Sequence, residues 1–516
     1  MNQITNSDQA DSGNLFSTLY THFPADLNSV FLRTYDKQSY SYADMIDTSG
    51  RIAQMLIENG VQPGDRVAMY VDKSPQALYL YLATLRAGAV FLPLNTAYTV
   101  SELHYFLADA QPAVLVCSPD KQEMLRKTAE EAGVRHLLTL AANGAGTLTD
   151  NSANVAPIKE DVTRDGDDLA AILYTSGTTG RSKGAMLTHN NLASNTFALT
   201  DIWRFTRDDC LLHALPIFHT HGLFVATNVI LACAGSMIYL PKFDADQIIQ
   251  SLPNVTSMMG VPTFYMRLLT RPDFTRELVS HIRLFVSGSA PLSAETHKQF
   301  EQRTGHAILE RYGMTETGMN TSNPYDSERR AGTVGFPLPD IEIRITDRET
   351  KAELANGEVG VIEIRGPNIF KGYWCLPEKT AEEFRDDGFF ISADLGFIDD
   401  WGYLQIVGRD KDLIISGGFN VYPKEIESAL DGIEGIFESA IIGVPHPDFG
   451  EGVTAVVVLE SDGDQNEASI KKILTSELAA YKLPKKILFE NRLPRNAMGK
   501  IQKKLLREKY DAIYND

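Results

Sequence analysis

Apolar runs alternate with amphipathic stretches along most of the chain. Arg66–Val71 (RVAMYV) predicts a strand, Pro75–Ala87 a helix and Ala89–Leu94 the next strand. Ala113–Cys117 and His136–Leu140 repeat the strand pattern around a charged helix at Lys121–Ala132. Strand, helix and strand at this spacing imply parallel pairing with helices on both faces. Ala141–Asp168 loses the periodicity and is rich in Ala, Asn, Gly, Thr and Asp, which predicts a surface linker. The alternation resumes at Leu169 and runs to about Tyr373. Then the texture changes. Short strands at Gly402–Val407 and Leu413–Ser416 lead to a helix at Pro423–Leu430, strands at Ser439–Val444 and Thr454–Leu459, a helix at Ala468–Tyr481 and a basic tail. The predicted class is α/β: a large N-terminal domain of doubly wound, parallel-rich sheets with flanking helices, followed by a small α+β C-terminal domain.

Composition narrows the function more than the fold. The chain has 516 residues, 43% apolar and 22% charged, which is ordinary globular usage with ample length for a large core and more than one domain. Its 48 Lys and Arg against 67 Asp and Glu leave a net charge of −19. Nucleic acid and anionic membranes need a basic footprint, so neither is the expected partner. A small anionic ligand is compatible, because a pocket can be locally basic. Four scattered cysteines (Cys117, Cys210, Cys233, Cys375) include no C-x-x-C pair, which argues for a reducing compartment without a zinc ribbon. The polar, acidic start MNQITNSDQADSG lacks a signal or transit pattern, so a cytoplasmic location is expected. Cys210–Pro241 holds no Asp, Glu, Lys or Arg, but histidines, Asn228, Pro216 and glycines interrupt it, which predicts buried core rather than a membrane span.

The strongest local chemistry is Tyr174-Thr175-Ser176-Gly177-Thr178-Thr179-Gly180-Arg181-Ser182-Lys183-Gly184, directly after the apolar strand Leu169–Leu173. Small hydroxyl residues and glycines let backbone N–H groups turn inward around phosphate oxygens, and Lys183 adds a mobile positive charge. It is not a Walker A loop, because Ser182 stands where that motif needs its second glycine. No G-x-G-x-x-G accompanies it, so a Rossmann dinucleotide site has no support.

The loop resembles the phosphate loop of the acyl-adenylate-forming (AMP-binding) superfamily. Further stretches carry the resemblance in family order: Glu310-Arg311-Tyr312-Gly313-Met314-Thr315-Glu316-Thr317, Ser392-Ala393-Asp394, Gly408-Arg409-Asp410-Lys411-Asp412, and Pro494-Arg495-Asn496-Ala497-Met498-Gly499-Lys500. Ala393 stands where the family usually has glycine. Within the superfamily, His213–Gly222 (HALPIFHTHG), Gly260–Arg267 (GVPTFYMR), Arg283–Pro291 (RLFVSGSAP) and Met314–Pro324 (MTETGMNTSNP) are similar to the malonyl-CoA synthetases. The resemblance implies ligation of malonate to coenzyme A, with malonyl-AMP as intermediate and ATP converted to AMP and pyrophosphate. Methylmalonate is a second diacid of the same class. It also implies domains at 1–410 and 411–516, with a hinge near Lys411 and rotation between the two half-reactions.

Attack of a carboxylate on the α-phosphorus brings an anion onto a polyanion, so it needs a divalent cation, positive charge and oriented donors. Glu316 is a hard oxygen ligand suited to Mg²⁺, and the resemblance pairs it with Thr175 at the metal. The resemblance likewise places Lys183 and the loop Thr175–Gly180 on the phosphates, with Asp394 and Arg409 on the ribose. Glu310, Arg311, Tyr312, Thr315 and Gly288-Ser289-Ala290 fall in the ATP site, and Lys500 in adenylation. Malonate's second carboxylate needs a dedicated cation if it is buried. Arg267 is the first candidate and Arg283 the second, with Ser289 as donor and His219 on the pocket wall. Lys500 is also the point at which a lysine acetyltransferase or deacetylase would switch the enzyme. Three other readings stand beside this one. A short-chain or aryl acid–CoA ligase of the same superfamily would not require the second carboxylate. A P-loop kinase or ATPase would release ADP. A non-catalytic ligand-binding relative would lack lysines and carboxylates that are present here.

Overall fold

The computed structural model describes residues 12–175, 182–461, 463–496 and 499–514. Two large sheets dominate. A seven-stranded sheet runs Gly372–Tyr373, Lys183–Thr188, Leu169–Thr175, Val90–Pro93, Arg66–Tyr70, Val114–Cys117 and His136–Thr139. A nine-stranded sheet runs Phe336–Pro337, Gly318–Ser322, Leu309–Met314, Leu284–Ser287, Ser257–Gly260, Cys210–His213, Ser236–Tyr239, Val30–Thr34 and Ser39–Ser41. Both are parallel in their interior, as the strand–helix–strand spacing predicted; antiparallel strands close both margins of the nine-stranded sheet and one margin of the seven-stranded sheet.

The helix Pro75–Arg86 shows how the large sheets share a core. Nearly every residue along it is buried, so it is apolar all round rather than on one stripe. Tyr81 packs against Phe91 of one sheet (5.2 Å between ring centroids) and against Phe224 beside the other (5.8 Å). Ser74 starts the helix by accepting from the Ala77 N–H, and Pro75 fills the first position, where its missing N–H costs nothing.

Three features differ from the sequence expectations or refine them. The stretch at 141–168 is not wholly a linker, since Thr147–Ser152 forms a short helix. The alternation of strand and helix does not persist to Tyr373. Glu342–Thr346, Gly360–Arg365, Phe390–Ile398 and Leu404–Arg409 form a separate antiparallel four-stranded sheet. Tight turns rather than a crossover helix connect the first two of these strands, and turns favour antiparallel neighbours. The uncharged stretch at 210–241 is buried core, with a π-type helix at His221–Thr227. Among the described residues, no helix is long and apolar enough to cross a membrane.

The small C-terminal domain has its own sheet. Phe419–Val421, Ile414–Ser416, Gly450–Leu459 and Ile436–His446 are neighbours, and Lys486–Phe489 pairs with Gly450–Leu459. The helices Pro423–Asp431 and Glu467–Glu477 lie over it. Ile426, Leu430, Ile441, Val453, Val457 and Ile470 belong to a core separate from that of the large sheets.

Candidate active site

Charged side chains from the ends of several strands converge on one cleft. Thr175 and Lys183 face each other across an antiparallel pair and carry the loop between them. Ser176, Gly177, Thr178, Thr179 and Gly180 lie outside the described residues. Lys183 is buried, its Nζ 2.8 Å from Glu383 Oε1 and 3.8 Å from the centroid of the Tyr373 ring. The Tyr373 hydroxyl donates to Glu383 Oε2 (2.7 Å) and lies 3.1 Å from Glu316 Oε1, and the Thr175 hydroxyl lies 3.4 Å from the same Glu316 oxygen.

Glu316 and Thr315 sit in the turn between Leu309–Met314 and Gly318–Ser322, whose pairing ends at Met314 and Gly318. Burial pushes the Glu316 carboxyl above its ordinary range, so the pocket stands to gain from a cation. One carboxylate flanked by hydroxyls fits Mg²⁺, which takes one or two protein oxygens and completes its shell with water and substrate phosphates. Among the described residues, no cluster of three or more His, Cys, Asp or Glu forms an all-protein cage.

A second cluster joins the strand Leu309–Met314 to the four-stranded sheet. The Tyr312 hydroxyl donates to Asp394 Oδ2 at 2.6 Å, and Arg409 Nε stands 3.0 Å from Asp394 Oδ1. Asp394 and Arg409 are cross-strand partners, so backbone register alone brings the pair together. Just before them Ala393 has a φ of 56°, the left-handed region in which glycine is usual. An L-residue loses ~1–2 kcal/mol there, and a glycine gives back ~0.5–1 kcal/mol in chain entropy. Ala393→Gly is therefore expected to stabilise the fold by up to about 1 kcal/mol, read by denaturant titration, whereas Ala393→Val should destabilise it.

The third cluster is histidine-rich. The π-type helix presents His221, whose Nδ1 lies 3.2 Å from the Ser289 hydroxyl. Ser289, between Gly288 and Ala290, has a φ of 71°. Lys73 anchors the segment leading to these histidines, its Nζ within 2.8–2.9 Å of His213 Nδ1 and of the His213 and Leu215 carbonyls. His219 keeps a buried Nε2 without a partner, and burial together with the nearby Lys500 charge pushes its pKa down to about 3. Burial likewise lowers His221 well below the ordinary histidine value. Both histidines are neutral at physiological pH.

Arg311 is the notable side chain of this cluster. Strand alternation turns it to the face opposite Tyr312, towards Gly288, Tyr265 and His221. Burial lowers its pKa to about 9, an effect that the nearby Tyr265 opposes only in part. Its Nε and Nη2 are buried without hydrogen-bond partners. A Cβ on Gly288 would lie 2.4 Å from Arg311 Cζ, so only glycine leaves room for the guanidinium. A buried cation without a counter-ion is costly, and this one faces the site.

The C-terminal domain supplies Lys500. Asn496 and Lys500 close a tight turn (Asn496 N–H to the Lys500 carbonyl, 2.9 Å; Gly499 N–H to the Asn496 carbonyl, 2.9 Å), braced by Arg495, which pairs with Glu438. Gly499, at φ 74°, comes so close to the large domain that an added Cβ would lie 3.3 Å from Thr263 Oγ1. Lys500 touches solvent in the cleft, yet protein around it lowers its pKa to about 8, with Arg409 and Arg311 adding to that effect and Asp394 and Glu316 opposing it.

Several expectations change here. Arg283 is committed elsewhere: its Nε and Nη2 pair with Asp209 at 2.6 and 2.7 Å, and its Nη1 donates to the Trp203 carbonyl. All three nitrogens of that guanidinium are thus engaged with protein groups. Arg267 does not sit in a buried apolar wall. It is exposed on the last turn of Pro262–Leu269, over the Phe243 ring at 5.4 Å, one helical turn beyond Thr263. The Glu310 carboxylate turns to His297 (3.4 Å) rather than to the cleft. Tyr373, Glu383 and His221 join the site without having been singled out in the sequence. Tyr373 and Glu383 fall in none of the family motifs, and only the fold brings Glu383 to Lys183.

Comparison with known proteins fits this geometry. The model for AMP-binding enzymes matches residues 22–374, and that for the AMP-binding enzyme C-terminal domain matches 425–500. The chain belongs to the AMP-binding enzyme family. It is 36% identical to a malonate–CoA ligase of Arabidopsis thaliana, over 92% of this chain and 85% of that one. It is 35% identical to the mitochondrial malonate–CoA ligase of Mus musculus, over 91% and 87%. ATP-bound MatB from Rhodopseudomonas palustris is 56% identical, with a TM-score of 0.95 over 98% of this chain and all of that one. The apo form of the same protein superposes with a TM-score of 0.85.

Proposed function

We propose that this chain ligates malonate to coenzyme A at the expense of ATP. In the first half-reaction a malonate carboxylate oxygen bonds to the α-phosphorus as the bond to pyrophosphate breaks. In the second, the CoA thiol, losing its proton, attacks the acyl carbon and AMP leaves. The observation that carries the choice of substrate is Arg311, a buried guanidinium with unpartnered nitrogens on the histidine side of the cleft. A diacid's second carboxylate is the counter-ion it lacks. Exposed Arg267 serves as a further cation at the mouth, on the same helical face as Thr263. Ser289 and His219 complete the acyl pocket.

The remaining roles follow the three clusters. Lys183 and the phosphate loop hold the β- and γ-phosphates. Glu316 and Thr175 hold Mg²⁺, which when bound neutralises phosphate charge. Asp394, with Arg409 beside it, accepts from the ribose hydroxyls, and Tyr312 with Gly288–Ala290 shapes the adenine slot. Lys500 bridges the attacking carboxylate and the α-phosphate. The chain works in the cytoplasm, and acetylation of Lys500 regulates it.

The domains divide at 410 and 411. Asp410 is tied to Arg348 of the large domain at 2.7 Å, and Asp412 to Arg507 of the C-terminal helix at 2.9 Å, which leaves Lys411 between two anchors. Rotation about it would withdraw Lys500 and admit the thiol. Lys411→Pro, which locks φ, is expected to slow thioester formation from malonyl-AMP far more than pyrophosphate exchange. Equal loss of both would argue against the hinge.

Pyrophosphate release measured with malonate, methylmalonate, acetate, butyrate and benzoate tests the whole reading. Turnover with the diacids should dominate. A preference for butyrate or benzoate would replace it with a monocarboxylic acid ligase.

A further inference from the structure

Glu383 has no place in the chemistry above, yet it holds the site's main phosphate-binding cation. It follows the helix Pro377–Glu382 and reaches Lys183 across a long stretch of sequence. Its Oε1 takes the Lys183 ammonium at 2.8 Å, while its Oε2 accepts from Tyr373 at 2.7 Å. The lysine is 8% exposed and the glutamate 21%, so water screens the pair only partly. An arriving polyphosphate must therefore compete with a carboxylate already seated on Lys183. Glu383 also has somewhere to go. Lys379, four residues earlier, stands 3.5 Å from the same Oε1 and is more exposed; it already pairs with Glu382 at 2.8 Å, and a single ammonium can serve both carboxylates.

We propose that Glu383 is an internal stand-in for phosphate. It occupies Lys183 when the nucleotide is absent, shifts to Lys379 when the β- and γ-phosphates arrive, and reclaims Lys183 as pyrophosphate leaves. The exchange keeps a buried ammonium neutralised at every stage, and it prevents the site from gripping its first product too tightly. It would make Glu383 a positioning residue that sets the balance between ATP capture and pyrophosphate release.

The inference rests on the assignment of Lys183 to phosphate, and the test separates the two. Pyrophosphate binding to the full-length enzyme is measured by calorimetry, without acid or CoA, for wild type and three variants. Lys183→Ala should weaken it; if it does not, the assignment of Lys183 fails. With that control in place, Glu383→Gln is expected to bind pyrophosphate about tenfold more tightly, the effect of one partly buried competing charge. In turnover it should lower the KM for ATP and also lower kcat as product release slows. A merely structural role would instead weaken binding or change nothing, and either result overturns the proposal. Lys379→Ala, at the exposed fallback partner, carries the test by itself if Glu383→Gln folds poorly. It should weaken pyrophosphate binding about threefold, because Glu383 then loses its alternative partner, and unchanged or tighter binding overturns the proposal.

Discussion

Replacing Lys500 by alanine is expected to reduce malonyl-AMP formation by at least ~100-fold while leaving CoA transfer from supplied malonyl-AMP largely intact. The loss is that of one preorganised charge aimed at developing negative charge. The geometry favours so large an effect. A tight turn and the Arg495–Glu438 pair hold the loop, and the ammonium lies within electrostatic reach of Arg409, Asp394, Glu316 and Arg311. Only the protonated amine can do this work. The protein groups around it lower its pKa to about 8, so the charged form dominates below that value and is lost above it. At sub-saturating substrate, pyrophosphate exchange should fall as the pH rises through about 8, a limb that Lys500→Arg should displace upwards. Acetylation removes the same charge and should silence the same half-reaction. Exchange retained in Lys500→Ala would dismiss this role.

Arg311→Met is expected to lower kcat/KM for malonate by about 2–5 kcal/mol, the cost of losing a buried charge-assisted pair. The relative rate with butyrate should rise, because the cavity would then match an apolar tail. The KM for ATP should stay within a few-fold of wild type. Arg267→Met should cost less, since its guanidinium is exposed and screened by solvent. A large rise in the KM for ATP without a change in acid preference would return Arg311 to the nucleotide. That outcome has a geometric counter-argument, because Arg311 and Tyr312 point to opposite faces of one strand and Tyr312 takes the side of Asp394.

Local spacing sufficed for much of this protein. Runs such as Arg66–Val71 and Ala113–Cys117 became the strands Arg66–Tyr70 and Val114–Cys117, because a fully buried parallel strand is apolar throughout and leaves a clear mark in sequence. The motifs around Lys183, Glu316, Asp394, Arg409 and Lys500 were legible for a related reason: each sits at a strand end, in a turn or, for Asp394, beside a left-handed residue within a strand, where backbone geometry limits the choice of residue. Arginines outside those motif positions were not legible, since guanidinium function depends on what lies across from it. Arg267, Arg283 and Arg311 all follow or precede apolar segments. The tertiary structure exposes the first, pairs the second with Asp209 and buries the third without a counter-ion. Glu383 belongs to the same class, because its partner Lys183 is distant in sequence and no periodicity encodes the meeting. Sequence determined the elements, the family and the residues fixed by their own backbone. Packing between elements decided which charges face each other, and thus which of them remain free to hold a substrate.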